Sequence, residues 1–403
     1  MICISGYSAL MLWRSTRCPE LARGRRARVH ASSLRHPSAE ELAAVDWRAL
    51  GLDPPGRRVD LMVCSAEERR QNSRFAYRVH SCELPAGALV RIGGSVYATS
   101  PELTFMQVAE KLDEVSLARL AFELCGSYAL ASGSWEVAEC ERSQVDGSNR
   151  WSAGGSRKGR EACPFGTGAA CRAAESAESG FDRRPPLTTV ARLERFLEQP
   201  TLKGARGRAV ARRALRHVAE GSRSPMETAM AMLLCLPPRM GGYGFPLPRL
   251  NQAVAMQRYL RSIPAKRRYV CDLLWKEHGI CVEYDSRAHH DRTDGQREQT
   301  GIRALNLGIA RLTVISVTPR QLYMAGLFDA VARRLAQCMG RRMRIRTEGF
   351  ACRRQMLRAR LLPPPGRERL AGSPEDGPVQ CDTAPQAPTD WSELARMNDA
   401  LAM

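Results

Sequence analysis

Four carboxylates and two imidazoles fall within "VEYDSRAHHDRTD", Val282 to Asp294, of a 403-residue chain whose formal charge is +19 at pH 7. The residues before them read as two strands, "RYVCDLLW" (Arg268 to Trp275) and "GICVEYDS" (Gly279 to Ser286), joined by "KEHG", a connection of hairpin length containing glycine. Successive side chains alternate along a strand, so Val270, Asp272 and Leu274 share one face, as do Cys281, Glu283 and Asp285. A hairpin lets the two faces coincide. Glu283 and Asp285 would then lie about 6 to 7 Å apart from the strand rise, with Asp272 among apolar neighbours opposite them. Like charges on a partly buried surface repel and resist desolvation unless a cation neutralises them or some are protonated. Oxygen ligands at this density suit Mg²⁺ or Mn²⁺ better than zinc. Asp285 has a second role open to it, accepting from a turn amide. His289 and His290 are adjacent, so only one can face a cleft, the alternative being a solvated turn histidine. Asp291 and Asp294 fit the start of the next helix.

The elements that must hold these acids follow from local signals. "SPMETAMAMLLCL" opens on Ser224 as N-cap, Pro225 at the first helical position and Glu227 at N3, where its carboxylate can return to the Ser224 amide. "RMGGYGFP" must be loop, and "LNQAVAM" (Leu250 to Met256) is a weaker strand. After the hairpin, "DGQREQTGIRALNLGIA" reads as a helix and "RLTVISV" (Arg311 to Val317) as a buried strand. Thr318 then caps a last helix with Pro319 at N1, Gln321 at N3, and Leu322, Leu327 and Val331 inward. The order is helix, strand, strand, strand, helix, strand, helix, over residues 224–339.

Upstream, residues 1–50 are basic and poorly patterned and are expected to be loosely ordered. A small α+β unit is expected over 55–130: "RRVDLMVC" is a strand, and "ALVRIGGSVYAT" is a hairpin about Gly93-Gly94. A helix capped by Ser100 with Pro101 follows, carrying Phe105, Val108, Ala109 and Leu112. A second runs from about Ser116 to a stop at Gly126. Residues 141–186 are rich in Gly, Ser, Ala and Arg and read as a flexible linker. Over 187–220 come basic helices, one with Val210, Ala214 and Val218 on one face and Arg206, Arg212, Arg213 and Arg216 on the others. Those arginines are either a solvated helix face or a phosphate-tracking one. Residues 341–403 open as a basic arm that includes Arg341 and Arg342 and end in a disordered tail.

Lys and Arg number 61 against 42 Asp and Glu, which is the balance of a polyanion-binding protein, although an arginine-rich composition also arises without one. No apolar run approaches the roughly 18 residues of a membrane span. The run Ile4 to Trp13 lacks a preceding basic segment, which argues against a secretory signal and leaves a mis-assigned start codon as the alternative. The fourteen cysteines are scattered with no C-x-x-C pair, so they are expected to be small buried hydrophobes in a reducing cytoplasm. The expected class is α/β in the α+β sense: a C-terminal mixed sheet flanked by helices, preceded by a small α+β domain.

On "SPMET", "YVCDLLW", "CVEYDSRAHH" and "LTVISV", residues 224–339 resemble the PD-(D/E)XK nuclease superfamily, specifically its branch similar to the very-short-patch-repair endonuclease. That resemblance implies a restriction-endonuclease-like fold and Mg²⁺-dependent (or Mn²⁺-dependent) hydrolysis of DNA phosphodiesters. It implies Glu227, Asp272, Glu283 and Asp285 as metal ligands, with Asp272, Glu283 and His289 catalytic. Arg206, Arg212, Arg213, Arg216, Arg341 and Arg342 would hold the DNA backbone. Asp285 stands where the superfamily usually has lysine, and Ser286 where a glycine follows the second acid. The whole-chain layout, with "SPELTF" and "LARLAFELCGSY", is also similar to the abortive-infection type IV antitoxin family. This implies the second reading, a non-catalytic DNA-binding regulator or antitoxin on the same scaffold, with a toxin or a second copy of the chain as partner and no membrane.

Overall fold

The computed structural model describes residues 1–15, 26–27, 30–52, 58–67, 73–80, 83–130, 181–255, 268–285, 311–343 and 348–362. The chain divides into two units, Met1–Pro363 and Pro364–Met403, the second wholly outside the described residues. In the first unit, strands β1 (Ile2–Ile4), β2 (Arg26–Ala27), β3 (Val59–Val63), β4 (Phe75–Val79), β5 (Leu89–Gly93) and β6 (Val96–Thr99) make a mixed sheet in the order β2-β5-β6-β1-β3-β4. The β5–β6 hairpin turns at Gly94, whose φ of +51° is what a tight turn asks of glycine.

Residues 1–15, expected to be loosely ordered, are built into the fold, whereas 16–25 and 28–29 of that stretch lie outside the described residues. β1 lies inside the sheet, parallel to β6 and antiparallel to β3, and α1 (Gly6–Arg14) packs back across it. Trp13 is fully buried and its indole N–H donates to the Thr99 carbonyl at 2.9 Å. Arg14 is buried too, with its guanidinium 2.6 Å from Glu123. A short apolar run that carries no period of its own becomes ordered because the remaining strands leave a slot with open hydrogen-bonding edges on both sides. A short α2 (Ala39–Ala43) follows, held by a Ser38/Glu41 capping box.

Two helices follow. In α3 (Pro101–Val108) the Ser100 hydroxyl accepts from the Leu103 amide, and every residue of the helix is buried, Glu102 included. That carboxylate is paired with Arg26 at 2.9 Å and takes the Thr188 hydroxyl at 2.6 Å, which satisfies a charge that would otherwise be costly to bury. In α4 (Glu114–Leu124) the cap is Asp113, two residues earlier than the apolar pattern suggests. Next come β7 (Tyr128–Leu130), β8 (Phe181–Arg183), α5 (Val190–Leu197) and α6 (Arg208–Leu215). β8 pairs antiparallel with β7, so the last residues of the expected linker are a strand; 131–180 lie outside the described residues. α6 rests on α4 through Ala211, Ala214, Leu215 and the following Val218, with Val210 only half-buried.

The C-terminal half consists of α7 (Pro225–Cys235), β9 (Arg249–Ala255), β10 (Arg268–Trp275), β11 (Ile280–Tyr284), β12 (Thr313–Val317), α8 (Pro319–Tyr323), α9 (Ala325–Cys338) and α10 (Phe350–Leu361). Its sheet runs β12-β11-β10-β9, antiparallel except for the parallel β11–β12 pair. The helix expected over 294–310 lies outside the described residues. Thr318 and Gln321 form the expected capping box, but the helix breaks at Met324, whose ψ is 115°. That break turns Leu327 outward, 38% exposed, and brings Phe328, Val331 and Leu335 into the core. The expected basic arm is a docked helix: Leu357 and Leu361 of α10 are buried, and the Arg354 guanidinium is bound to Asp329, which also takes the Tyr243 hydroxyl. One continuous core runs from Ile2 to Leu362, so the segments expected as separate domains within residues 1–362 share their interior.

No helix among the described residues is long and apolar enough to cross a membrane. Trp13→Ala is expected to destabilise the fold by about 3–5 kcal/mol, read as a lower urea midpoint. A truly loose N-terminus would leave that midpoint unmoved.

Candidate functional site

The two halves meet at a seam that places α7. The Ser127 amide donates to the Ser222 carbonyl at 2.8 Å, and the hydroxyls of Tyr128 and Ser222 lie 2.9 and 2.8 Å from that of Thr228. Gly126 is required here, since a Cβ would come within 2.7 Å of the Ser222 carbonyl oxygen and 2.6 Å of that of Phe122. With the seam closed, the first turn of α7 presents Glu227 toward the sheet. Ser224 is its N-cap as expected, but the Glu227 carboxylate returns to the Arg223 amide at 2.8 Å rather than to that of Ser224.

Glu227 is 9% exposed. Its Oε2 accepts from Arg223 and, at 2.6 Å, from the Asn251 side-chain amide; its Oε1 accepts from the Ser224 hydroxyl at 3.1 Å. Burial pushes its carboxyl above the usual range, and the nearby negative charge of Asp272 adds to that, against the pull of these hydrogen bonds. Asp272 is half-buried and accepts the Tyr284 amide at 2.9 Å. Helix and strand acids are thus brought close enough to feel one another.

Glu283 is not part of that pair. Cys271 and Leu274 fall in one small cluster with Tyr269 and Cys281, whereas Leu273 and Trp275 belong to the main core. In a regular strand Cys271 and Leu273 would share a face, so the alternation of β10 slips between them. Pairing skips there from Cys271–Gln252 to Leu273–Leu250, and Asn251 on β9 takes a φ of +49°. Asn tolerates this left-handed conformation better than most residues. β11 remains regular, with Val282 and Tyr284 toward the main core. Glu283 therefore faces the other way, with Cys281 Sγ 3.6 Å from its Oε1. The expected common face of Val270, Asp272 and Leu274 is split: Asp272 lies on the Glu227 side and Glu283 on the cysteine side.

Among the described residues, the three-donor cluster within 4.8 Å is Cys271, Cys281 and Glu283, not a set of carboxylates. The Cys281 thiol is pushed up by its hydrogen bond with Cys271, by burial and by the Glu283 charge. Half-buried Asp285 donates its backbone amide to Val317. His289 and Ser286 lie outside the described residues. Of the expected phosphate contacts, Arg206, Arg212, Arg216 and Arg342 are exposed. Arg213 is committed to Glu114 at 3.0 Å, and Arg341 lies over the Phe245 ring. Sequence reasoning missed Asn251 and the cysteine pair. The signal for the slip was an asparagine inside a strand, where it is a poor fit.

The described residues thus define an α+β protein with acid on both faces of its C-terminal sheet. No protein-family model, no curated protein and no solved structure matches the chain.

Glu227 supplies a pH test. Its folded carboxyl titrates above the ordinary 4.5, so the native state binds the proton more tightly than the unfolded chain. The resulting stabilisation is fully present below the unfolded value and is lost as pH rises through the folded one. Glu227→Gln lacks this loss. Its unfolding free energy minus that of the parent should rise as pH increases from about 4.5, measured by urea unfolding across pH; a flat difference would count against the burial and Asp272 effects described.

Proposed function

We propose that this chain is a Mg²⁺-dependent DNA endonuclease whose cation is held by Glu227 and Asp272. The observation that carries the proposal is the helix acid Glu227, pushed up mainly by burial and further by the charge of the half-buried strand acid Asp272, beside the β12-β11-β10-β9 sheet. The donor set fits a hard cation. Both groups offer carboxylate oxygens, and Glu227 Oε1 takes one hydrogen bond, from Ser224, which leaves it a lone pair. Bound there, Mg²⁺ supplies water activation and neutralises charge on the scissile phosphate.

The remaining roles belong to the chain itself. The Arg223 amide and Asn251 fix the Glu227 carboxylate, while the Tyr284 amide fixes that of Asp272. Exposed Arg206, Arg212, Arg216 and Arg342 supply positive charge for the DNA backbone. His289 takes the proton-handling role that the resemblance gives it.

A second reading, a DNA-binding regulator or antitoxin without catalysis, is favoured by one observation. Glu283 sits with two cysteines rather than with Glu227 and Asp272.

Supercoiled plasmid separates the two. Under the first reading the purified chain nicks it with Mg²⁺ and not with EDTA, and Asp272→Ala lowers the rate by at least about 100-fold. Mg²⁺-independent, salt-sensitive retention on DNA without nicking selects the second, and no retention at low salt overturns both. In either case Arg212→Ala is expected to reduce the slope of log binding constant against log salt by about 0.9.

A further inference from the structure

We infer that Cys271, Cys281 and Glu283 form a second metal site, on the sheet face opposite Glu227, built for a thiophilic divalent cation such as Zn²⁺. It uses neither Glu227 nor Asp272, the proposed Mg²⁺ ligands, and takes Glu283, which the resemblance had placed with them, for the opposite face.

The three donor atoms already lie within 4.8 Å of one another, with Cys281 Sγ and Glu283 Oε1 at 3.6 Å. A tetrahedral zinc, with Zn–S of about 2.3 Å and Zn–O of about 2.0–2.2 Å, requires donors roughly 3.5–3.8 Å apart. Closing the set needs shifts of an ångström or less, within the reach of cysteine and glutamate rotamers. Both cysteines are fully buried, against Tyr269 and Leu274 and beside Val254, Leu312 and Val314, and Glu283 is half-buried at the rim.

The backbone makes the constellation specific. Cys281 and Glu283 share a face because they are two apart on a regular strand. Cys271 would face away from them if β10 alternated without interruption. The slip at Asp272 and Asn251 brings the second thiol round. The same irregularity that takes Asp272 away from Glu283 therefore supplies two sulfurs in its place, and the donor set changes from hard to soft.

On binding, the two S–H bonds break, their protons leave to solvent, and two Zn–S bonds and one Zn–O bond form. Two thiolates and one carboxylate against a dication leave a net charge of −1, and the fourth position takes a water. Sulfur donors disfavour Mg²⁺, so the two faces of one sheet select different cations.

Co²⁺ is the spectroscopic probe. The full chain, stripped with a chelator and kept reduced with a phosphine, is titrated with Co²⁺. The expected result is thiolate-to-cobalt charge transfer with tetrahedral d–d bands, saturating at one ion per chain and bleached by Zn²⁺. Cys271→Ser and Cys281→Ser each lose the bands, and Glu283→Gln keeps them with affinity weaker by about tenfold or more. Glu227→Gln, on the opposite face, binds as the parent does, which separates this site from the endonuclease reading. Because a core serine can impair folding, Zn²⁺ is also added to the parent chain during alkylation mapped by mass spectrometry. Cys271 and Cys281 should be protected, and the equally buried Cys3 and Cys125 should not. Absence of tetrahedral bands in the reduced parent, bands that survive loss of both cysteines, or alkylation of Cys271 and Cys281 unchanged by Zn²⁺ would overturn the inference.

Discussion

One asparagine side chain sets the geometry on which both faces of the C-terminal sheet depend. Asn251 donates from Nδ2 to the Gly221 carbonyl at 3.0 Å and to Glu227 at 2.6 Å, and its own backbone is left-handed. The first bond ties β9 to the segment leading into α7, and the second holds the helix acid. The left-handed turn of the chain interrupts the β9–β10 ladder opposite Asp272. A strand with one such interruption presents different residues on each side before and after it. The placement of Cys271 and Asp272 relative to Glu283 follows from that single interruption.

The seam at Gly126 and Ser222 gives Asn251 something fixed to hold. Because a side chain at Gly126 would collide with the Ser222 carbonyl, the N-terminal half approaches α7 at backbone distance. The Tyr128, Ser222 and Thr228 hydroxyls then satisfy one another inside the contact. The N-terminal half thus acts as more than an appended domain, since the helix that presents Glu227 is positioned through the turn after α4 and strand β7. Docking of α10 by Arg354 and Asp329 closes the same core from the other end.

The two faces of the C-terminal sheet carry different donor atoms. On the Glu227 side, the carboxylates of Glu227 and Asp272 are each fixed by backbone or side-chain amides. On the other side, two thiols and a carboxylate are sequestered among aromatic and aliphatic groups, an environment for a soft cation. The basic surface that the charge balance led one to expect is partly consumed by structure, because Arg213 neutralises Glu114 and Arg341 covers Phe245. Arg206, Arg212 and Arg216, in and beside α6, remain exposed.

By itself the sequence determined the elements whose signals are local. Ser224-Pro225 and Thr318-Pro319 start helices because a hydroxyl cap and a fixed φ act within one turn. Gly94 turns a hairpin, and Val59–Val63, Arg268–Trp275 and Ile280–Tyr284 are strands by their apolar patterns. The alternation of the two strands paired Asp272 with Glu283, and Glu227 was legible by itself only as the N3 acid of a capped helix, joined to Asp272 through the resemblance alone. Only the tertiary structure decided that Ile2–Ile4 fills the middle of a sheet, since a short strand acquires its identity from distant partners that close on both of its edges. It likewise decided that Glu283 faces cysteines and not Asp272. Alternation predicts a face only while the ladder is regular, and the irregularity in β10 is imposed by a neighbouring strand, where Asn251 answers to Gly221 and Glu227.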